Sequence, residues 1–367
     1  MKVVFLSRWL GNPYKRILAK HLADRDATVT EHRWSVFFLP KVFSNGIPDI
    51  LHLHTLHPFL IPNRKILRPL KVLLFVSQIL FLRVLSVKTV WTVHEWNDKI
   101  KNGEDEVSGF EAKTLGKIFH SIIVHCDSTK KEICRSFCLE GNSKILVIPH
   151  GNYIEHYQNK LTQKQAREAL QISNENIVFL IFGSIYPYKG ILEAIYAFKQ
   201  LDSKSSSLVI AGKFDLSTPI QRDLEEAIKA QTSDATNIKF IPTKIPDDDV
   251  QIYMNACDCV LTPYRVFTTS GVTLLGMSFG KACIAPKIGF FNDILDNCGA
   301  ILYQFDDESG LFEAMDNAIS RRQFLDKMGA HNFELAKQCS WEYVAERTLL
   351  AYAETHFDEP LNLVSKS

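Results

Sequence analysis

Short apolar runs alternate with amphipathic segments along this chain, and the alternation halts once and then restarts. Ahead of the halt, Val3–Ser7, Val29–Trp34, Ile50–His54, Thr89–Val93, Ser121–Cys126 and Ile145–Ile148 read as strands. Between them Lys15–Asp24, the apolar stretch Ile66–Val87, Phe110–Phe119 and Ser128–Phe137 read as helices, the last with Ser128 as its expected N-cap. A polar stretch, Asn152–Asn176, follows and holds one helix, Gln163–Leu170. The pattern resumes at Ile177–Gly183, with further strands at Ser207–Ala211, Ile238–Ile241, Cys259–Leu261, Ala282–Ala285 and Gly299–Tyr303. Helices are expected at Gly190–Leu201, Pro219–Gln231, Val250–Ala256, Gly271–Phe279, Gly310–Lys327 and Trp341–Thr355, and a loose tail over Phe357–Ser367. Strands that alternate with helices build parallel sheets covered on both faces, since each crossover must pack back onto the sheet it left. The expected fold class is therefore α/β: two doubly wound, Rossmann-like parallel-sheet domains facing across a cleft. The expected boundaries are 1–150, 151–340, and a closing helix and tail at 341–367. A length of 367 residues suits two domains of about 100–200 residues each.

Composition removes several function classes. With 46% hydrophobic and 11% aromatic residues, the chain has too much apolar material for intrinsic disorder. The 42 Lys and Arg against 41 Asp and Glu leave a net charge of +1, so there is no global basic field to grip nucleic acid. Eight cysteines are scattered without a CxxC pair, which fits reduced, buried thiols in a cytoplasmic protein better than a disulfide scaffold. The opening Met1–Leu6 is apolar, but Ser7-Arg8-Trp9 interrupts it too early for a signal sequence.

Ile66–Val87 is the one membrane candidate. Arg68, Pro69, Lys71, Ser77, Gln78 and Arg83 break it, and its longest uncharged run, Val72–Leu82, is too short to span about 30 Å of hydrocarbon. Arg64, Lys65, Arg68 and Lys71 at one end and Arg83 and Lys88 at the other suit a helix lying in the interface of an anionic membrane. A buried core helix with snorkelling ends is the competing reading.

In open parallel sheets, ligands sit outside the carboxyl ends of the strands. The loop Phe182-Gly183-Ser184-Ile185-Tyr186-Pro187-Tyr188-Lys189-Gly190 joins a strand to a helix there. Its glycines admit close backbone approach, the helix start favours an anion, and Lys189 adds a full charge. It matches neither GxxxxGK[ST] nor GxGxxG, and reads as a diphosphate site. The loop Thr262–Gly271 leads into a second helix, with Arg265 suited to phosphate, Thr269 beside it, and Ser270 and Gly271 at the helix start. In the first half, His94, Glu95 and Asp98 follow a strand and are candidate general bases. The run Leu51–His57 carries three histidines, but no further ligands at metal spacing follow, so no metal site is expected. Asp247-Asp248-Asp249 precedes a helix and reads as capping and dipole complement.

At these motifs the chain resembles the GT-B glycosyltransferases, in particular the large group around family 4. The resemblance is strongest from about Ile145 to Trp341. It rests on Ile148-Pro-His-Gly-Asn152, on Gly183–Gly190, on Leu275-Gly-Met-Ser-Phe-Gly280-Lys-Ala-Cys-Ile-Ala-Pro286, and on Gly289-Phe-Phe-Asn-Asp293 with Gly299 after it. Thr92-Val93-His94 stands where such enzymes often place an active-site histidine. The resemblance implies a nucleotide-sugar in the second domain and an acceptor in the first. Two positions depart from the family pattern. Ser184 stands where an arginine usually pairs with the lysine, and Phe267 and Leu275 occupy the two positions of the Glu-x7-Glu motif. Thr268-Thr-Ser-Gly271 instead resembles bacterial exopolysaccharide glycosyltransferases, including β-mannosyltransferases.

The resemblance thus implies a hexosyltransferase that uses GDP-mannose or a UDP-sugar as co-substrate, with no cofactor and no catalytic metal. The implied acceptor is a glycan or a polyprenyl-diphosphate-linked saccharide in polysaccharide biosynthesis, and the implied location is the cytoplasmic face of the cell membrane. Donor contacts are expected from Gly183, Ser184, Lys189, Arg265, Thr269, Ser270 and Gly271. A sugar-nucleotide epimerase of the same fold, and a non-catalytic sugar-nucleotide binder, stand as alternatives.

Overall fold

The computed structural model describes residues 1–8, 10–56, 67–94, 109–139, 144–201 and 205–353. It divides into two compact units. The first takes Met1–Gly151 together with the C-terminal helix Trp341–Ala353; the second takes Asn152–Gln338. The tail Phe357–Ser367 lies outside the described residues.

The first unit holds a six-stranded sheet of β1 (Lys2–Ser7), β2 (Thr28–Arg33), β3 (Ile50–Leu53), β4 (Lys88–Thr92), β5 (Ser121–Val124) and β6 (Ile145–Val147), in the order β2-β1-β3-β4-β5-β6. Every pairing is parallel. Alternate residues of β1 enter two different cores. Val4 and Leu6 pack with Phe75, Ile79 and Leu82 of the helix Arg68–Val84. Val3 and Phe5 pack with Leu18 and Leu22 of the helix Pro13–Ala23, and with Val344 and Tyr352 of Trp341–Ala353. A period of two sends neighbouring side chains to opposite faces, so both faces are covered. The C-terminal helix is fastened to this sheet by Ser121 Oγ donating to the Ala351 carbonyl (2.9 Å) and Lys88 Nζ to the Tyr352 carbonyl (3.1 Å).

The second unit repeats the plan with β7 (Ile177–Phe182), β8 (Ser206–Ala211), β9 (Ile238–Ile241), β10 (Cys259–Leu261), β11 (Ala282–Pro286) and β12 (Ala300–Tyr303), ordered β12-β11-β10-β7-β8-β9 and all parallel. The order reverses between β10 and β7, which makes the carboxyl ends of those two strands the switch point of the sheet.

Several local expectations are corrected. The helix Asp127–Phe137 is capped by Cys126, whose Sγ accepts from the Thr129 amide, and Ser128 lies inside it. The span Gly310–Lys327 is not one helix: it breaks after Gly310–Ser320, passes through a 3-10 turn at Arg322–Phe324, and continues as Leu325–Gln338. Asp247–Asp249 form a 3-10 turn of their own, and Asp249 makes no side-chain cap bond to the helix that follows. Cys126, Cys257, Cys259, Cys283 and Cys339 are buried as expected, but Cys138 and Cys298 are exposed and Cys134 is half-buried.

The helix Arg68–Val84 buries one stripe and exposes another. Phe75, Gln78, Ile79 and Leu82 face the core, while Leu70, Leu73, Leu80, Phe81 and Val84 stand in solvent. At 100° per residue these five positions fall on one side of the helix, which is apolar apart from the exposed Ser77 in its middle. Among the described residues no helix is long and apolar enough to cross a membrane.

Candidate functional site

The carboxyl ends of β7 and β10 bring the second unit's predicted residues together. After β7 the chain turns at Gly183, which has φ +87°, and reaches the 3-10 turn Pro187–Lys189. Gly190 follows with φ +65°, and any Cβ there would strike the carbonyl of Pro263. Glycine at this point is what lets the loop after β7 lie against the loop after β10. The Arg265 amide then donates to the Tyr188 carbonyl at 2.7 Å and locks the two loops together.

Lys189 is buried by this packing, and its Nζ lies 5.3 Å from the centroid of the Tyr264 ring. A Cβ placed on Gly183 would sit 3.7 Å from the same Nζ and 3.3 Å from Val272 in the first turn of the helix Gly271–Ser278. The ammonium, the Gly183 backbone and the start of that helix therefore share one small region. Ser270 caps the helix, its Oγ accepting from the Thr273 amide (3.2 Å) and from Thr273 Oγ1 (2.9 Å). Burial pushes the Tyr264 phenol up, and its hydrogen bond with Ser270 partly opposes that. Thr269 Oγ1 is buried with no hydrogen-bond partner among the described residues. A buried hydroxyl without a partner costs about 1–3 kcal/mol, which a hydrogen bond from a ligand at this loop would offset. A helix start, a lysine and a hydroxyl with an unused hydrogen bond are the parts of an anion site.

Two predicted residues are exposed where Lys189 is buried. Ser184 is exposed. Arg265 is mostly exposed, and its guanidinium is paired with the carboxylate of Glu193, so its charge is already engaged. Arg265 and Glu193 instead border a cavity of about 420 Å³ that also includes Tyr196, Tyr303 and Phe305.

In the first unit the carboxyl edge is paved with histidines. His54 follows β3, His94 lies two residues past β4, His125 follows β5 and His150 comes three residues after β6. Tyr14, in the first turn of the helix Pro13–Ala23, sits among them, its ring centroid 4.6–5.9 Å from those of His54, His94, His125 and His150. His125 Nδ1 donates to the Ile148 carbonyl at 3.0 Å. Its Nε2 lies 3.3 Å from His94 Nδ1, and His94 Nε2 lies 3.2 Å from His54 Nδ1. Burial holds all of these rings neutral: His125 is pushed down to about 3, His150 to about 4, and His54 and His94 well below the usual imidazole range. His52 belongs to a separate pair of bonds, to Tyr352 Oη and Thr92 Oγ1, each 2.7 Å, and is pushed down by burial to about 3.

Both ring nitrogens of His94 are thus occupied by other histidines. Glu95 and Asp98 lie outside the described residues. On the same edge Lys15 is buried, its Nζ bonded to Ser7 Oγ at 2.5 Å and to the Glu31 carboxylate; burial pulls the ammonium down while Glu31 opposes the shift. Tyr14, Lys15 and His125 are not singled out by the sequence, and His150 enters there only as part of the Ile148–Asn152 stretch. The signal was there in the repeated placement of histidine just past a buried strand, but a lone histidine at a strand end is uninformative until the strand order is known.

Residues 176–321 match the family described as glycosyl transferases group 1. Among curated relatives, the chain is 28% identical over 139 residues to a GDP-mannose:glycolipid 4-beta-D-mannosyltransferase of Xanthomonas campestris pv. campestris, covering 37% of this chain and 38% of that one. It is 28% identical over 213 residues to a lipopolysaccharide 1,2-N-acetylglucosaminetransferase of Salmonella typhimurium, covering 55% of each. The chain therefore spans about half or less of the length of these relatives. Among solved structures, HepE of Anabaena in complex with UDP and glucose superposes with a TM-score of 0.73 at 15% identity, over 96% of this chain and 100% of that one. Sucrose-phosphate synthase of Thermosynechococcus elongatus gives 0.76 at 14% identity, over 96% and 99%. At such identities the superpositions speak to fold alone. Residues 176–321 are thus similar to the glycosyl transferases group 1 family, on a chain of GT-B fold.

Proposed function

We propose that this protein is a hexosyltransferase that binds a nucleoside-diphosphate sugar, GDP-mannose or a UDP-sugar, at the carboxyl edge of its second unit. The observation that carries this reading is the grouping of Lys189, Gly183, the start of the helix Gly271–Ser278 and the unpartnered Thr269 hydroxyl, inside the segment that matches the group 1 glycosyl transferases. As the sugar leaves, negative charge gathers on the diphosphate, and donors fixed in place before the reaction stabilise that charge most. Lys189 is such a donor, and Gly271 and its neighbours supply the helix amides. The transfer needs no metal on this reading, because the ammonium and the helix start meet the charge.

The acceptor hydroxyl oxygen forms the new bond to the sugar's anomeric carbon as the bond to the diphosphate breaks. If the transfer inverts, the hydroxyl proton goes to a base. With both nitrogens of His94 engaged, Glu95 and Asp98 are the remaining candidates. The acceptor is a glycan or a polyprenyl-diphosphate-linked saccharide in polysaccharide biosynthesis. Two relatives whose names specify a glycolipid and a lipopolysaccharide favour a lipid-linked one.

A lipid-linked acceptor calls for a protein at the membrane surface, and the exposed face Leu70, Leu73, Leu80, Phe81 and Val84 supports that. Exposed Arg83 adds positive charge at one end of the helix; at the other end Arg68 is partly covered and Lys71 Nζ lies 5.4 Å from the centroid of the Trp34 ring. The protein is read as peripheral on the cytoplasmic face. Isothermal titration with GDP-mannose and UDP-glucose, in wild type and Lys189→Ala, tests the donor reading: saturable binding of at least one donor that the variant loses is expected. Equal affinity in a folded variant would mean that the diphosphate lies elsewhere.

A further inference from the structure

The amino edge of the second unit's sheet, opposite the donor edge, carries a mixed cluster of Asp296, Cys298 and His331. One ligating atom from each lies within 4.8 Å of the others. Asp296 and Cys298 belong to the loop between the helix Gly289–Ile294 and β12, and His331 lies within the helix Leu325–Gln338. We propose that these three residues form a binding site for a borderline transition-metal ion, Zn²⁺ above all, that clips this loop to this helix.

The chemistry of the donors sets the choice of ion. A thiolate, an imidazole and a carboxylate together suit Zn²⁺ and its Co²⁺ stand-in, whereas Mg²⁺ and Ca²⁺ want oxygen alone. Tetrahedral Zn²⁺ holds its ligand atoms about 3–4 Å apart, so a side-chain rotation closes the observed spacing. Three protein ligands leave a fourth position for water.

The cluster is also held in place before any ion arrives. Asp296 Oδ1 accepts from the amides of Cys298 (2.9 Å) and Gly299 (3.1 Å), which leaves Oδ2 to meet His331 Nε2 at 2.9 Å. Asn332, next to His331, donates from Nδ2 to the carbonyls of Gly299 (2.7 Å) and Lys281 (2.8 Å). Only a glycine fits at 299, because a Cβ there would collide with the Asn332 side chain. Loop and helix are thus tied on both sides of Cys298, whose thiol is exposed and reachable. When the ion binds, the Cys298 Sγ–H bond breaks, the proton goes to solvent, and the sulfur lone pair forms the bond to the metal. The His331 Nε2–H bond, which points at Asp296 Oδ2 in the ion-free protein, breaks as well: the ring exchanges that proton through solvent for one on Nδ1, and the freed Nε2 lone pair and Asp296 Oδ2 give up their hydrogen bond to each other to ligate the ion.

The site is separate from the Lys189 region and does not depend on the glycosyltransferase reading. The test is a Co²⁺ titration of the whole reduced protein, read by the thiolate-to-cobalt charge-transfer absorption and the visible bands of tetrahedral cobalt. One equivalent is expected to bring up both, and Zn²⁺ to displace them. Cys298→Ser should abolish the charge-transfer band, and His331→Gln should weaken Co²⁺ binding by at least about tenfold while the band persists at saturation. Two results overturn the proposal. One is the absence of a thiolate band in wild type. The other is a band of unchanged strength and affinity in either variant, which would put the cobalt on another cysteine such as exposed Cys138.

Discussion

His125 donates its Nδ1 proton to the carbonyl of Ile148 at 3.0 Å, and that one bond fixes the protons on two further rings. A carbonyl can only accept, so His125 Nε2 carries a lone pair. His94 must then donate to it from Nδ1, and its own Nε2 must accept from His54 Nδ1. The series ends on a bare lone pair at His54 Nε2, which is buried and has no partner among the described residues. All three rings are neutral and hold the Nδ1–H form.

Imidazole nitrogen NMR reads this directly. His54, His94 and His125 are expected to show Nδ1–H tautomers near neutral pH. In His125→Phe, His94 loses its acceptor and should revert to Nε2–H, turning His54 with it. An Nε2–H form of any of the three in wild type would break the series.

The same burial makes the first unit acid-sensitive. An unfolded histidine takes up a proton near 6.5, while folded His52, His125 and His150 resist to about 3, 3 and 4, and His54 and His94 are lowered well below 6.5. As pH falls below about 6.5 the unfolded state binds more protons than the folded one, so stability declines from there towards about 3. Each such group contributes up to about 1.4 kcal/mol per pH unit across the window. Denaturant midpoints measured between pH 8 and 4 should be flat above about 7 and fall steeply below 6. A flat profile down to pH 4 would mean that the rings are already solvated.

At the carboxyl edge of the second unit the two basic residues should behave differently if the proposed donor binds there. Lys189→Ala is expected to weaken donor binding by about 1.5–3 kcal/mol, the range of a hydrogen bond to a charged group. Arg265→Ala should cost much less, because that guanidinium is exposed and already paired with Glu193. Thr269→Val should leave stability unchanged or raise it, since it removes an unpartnered buried hydroxyl, while lowering donor affinity. Equal losses in the Lys189 and Arg265 variants would show that the Glu193 pair opens to the ligand.

Most of this architecture is legible in the residues. Two rounds of strand and helix, with the pause at Asn152–Asn176, give the two doubly wound units. The Gly183–Gly190 and Thr262–Gly271 loops reveal themselves by glycine, lysine and hydroxyl content at strand ends. What the residues hide is pairing across distance. Nothing near Arg265 announces Glu193 as its partner, and nothing near Cys298 announces His331. The break at Arg321 was missed because Gly310–Lys327 keeps a helical apolar period through the turn. The Cys126 cap was missed because serine outranks cysteine as a cap on propensity, and tertiary packing overrode that ranking.

The apolar face of Arg68–Val84 predicts lipid binding that combines area and charge. Apolar area removed from water is worth about 25 cal/mol per Å², and each nearby cation about 1 kcal/mol on anionic lipid. Co-sedimentation with anionic vesicles should be strong at low salt and weaken as salt rises. Leu70→Ser with Leu73→Ser and Phe81→Ser should release the protein without unfolding it, since all three side chains are exposed. Wild type left in the supernatant at low salt would mean that another surface, or none, meets the membrane.

Release of nucleoside diphosphate from a panel of GDP- and UDP-sugars, with a lipid-linked saccharide acceptor present, tests the central claim most directly. One donor is expected to yield nucleoside diphosphate and a longer glycan in equal amounts. That release should persist in EDTA and be lost in Lys189→Ala. Neither release nor saturable binding from any donor in the panel, or an epimerised sugar with the diphosphate bond intact, would contradict the account.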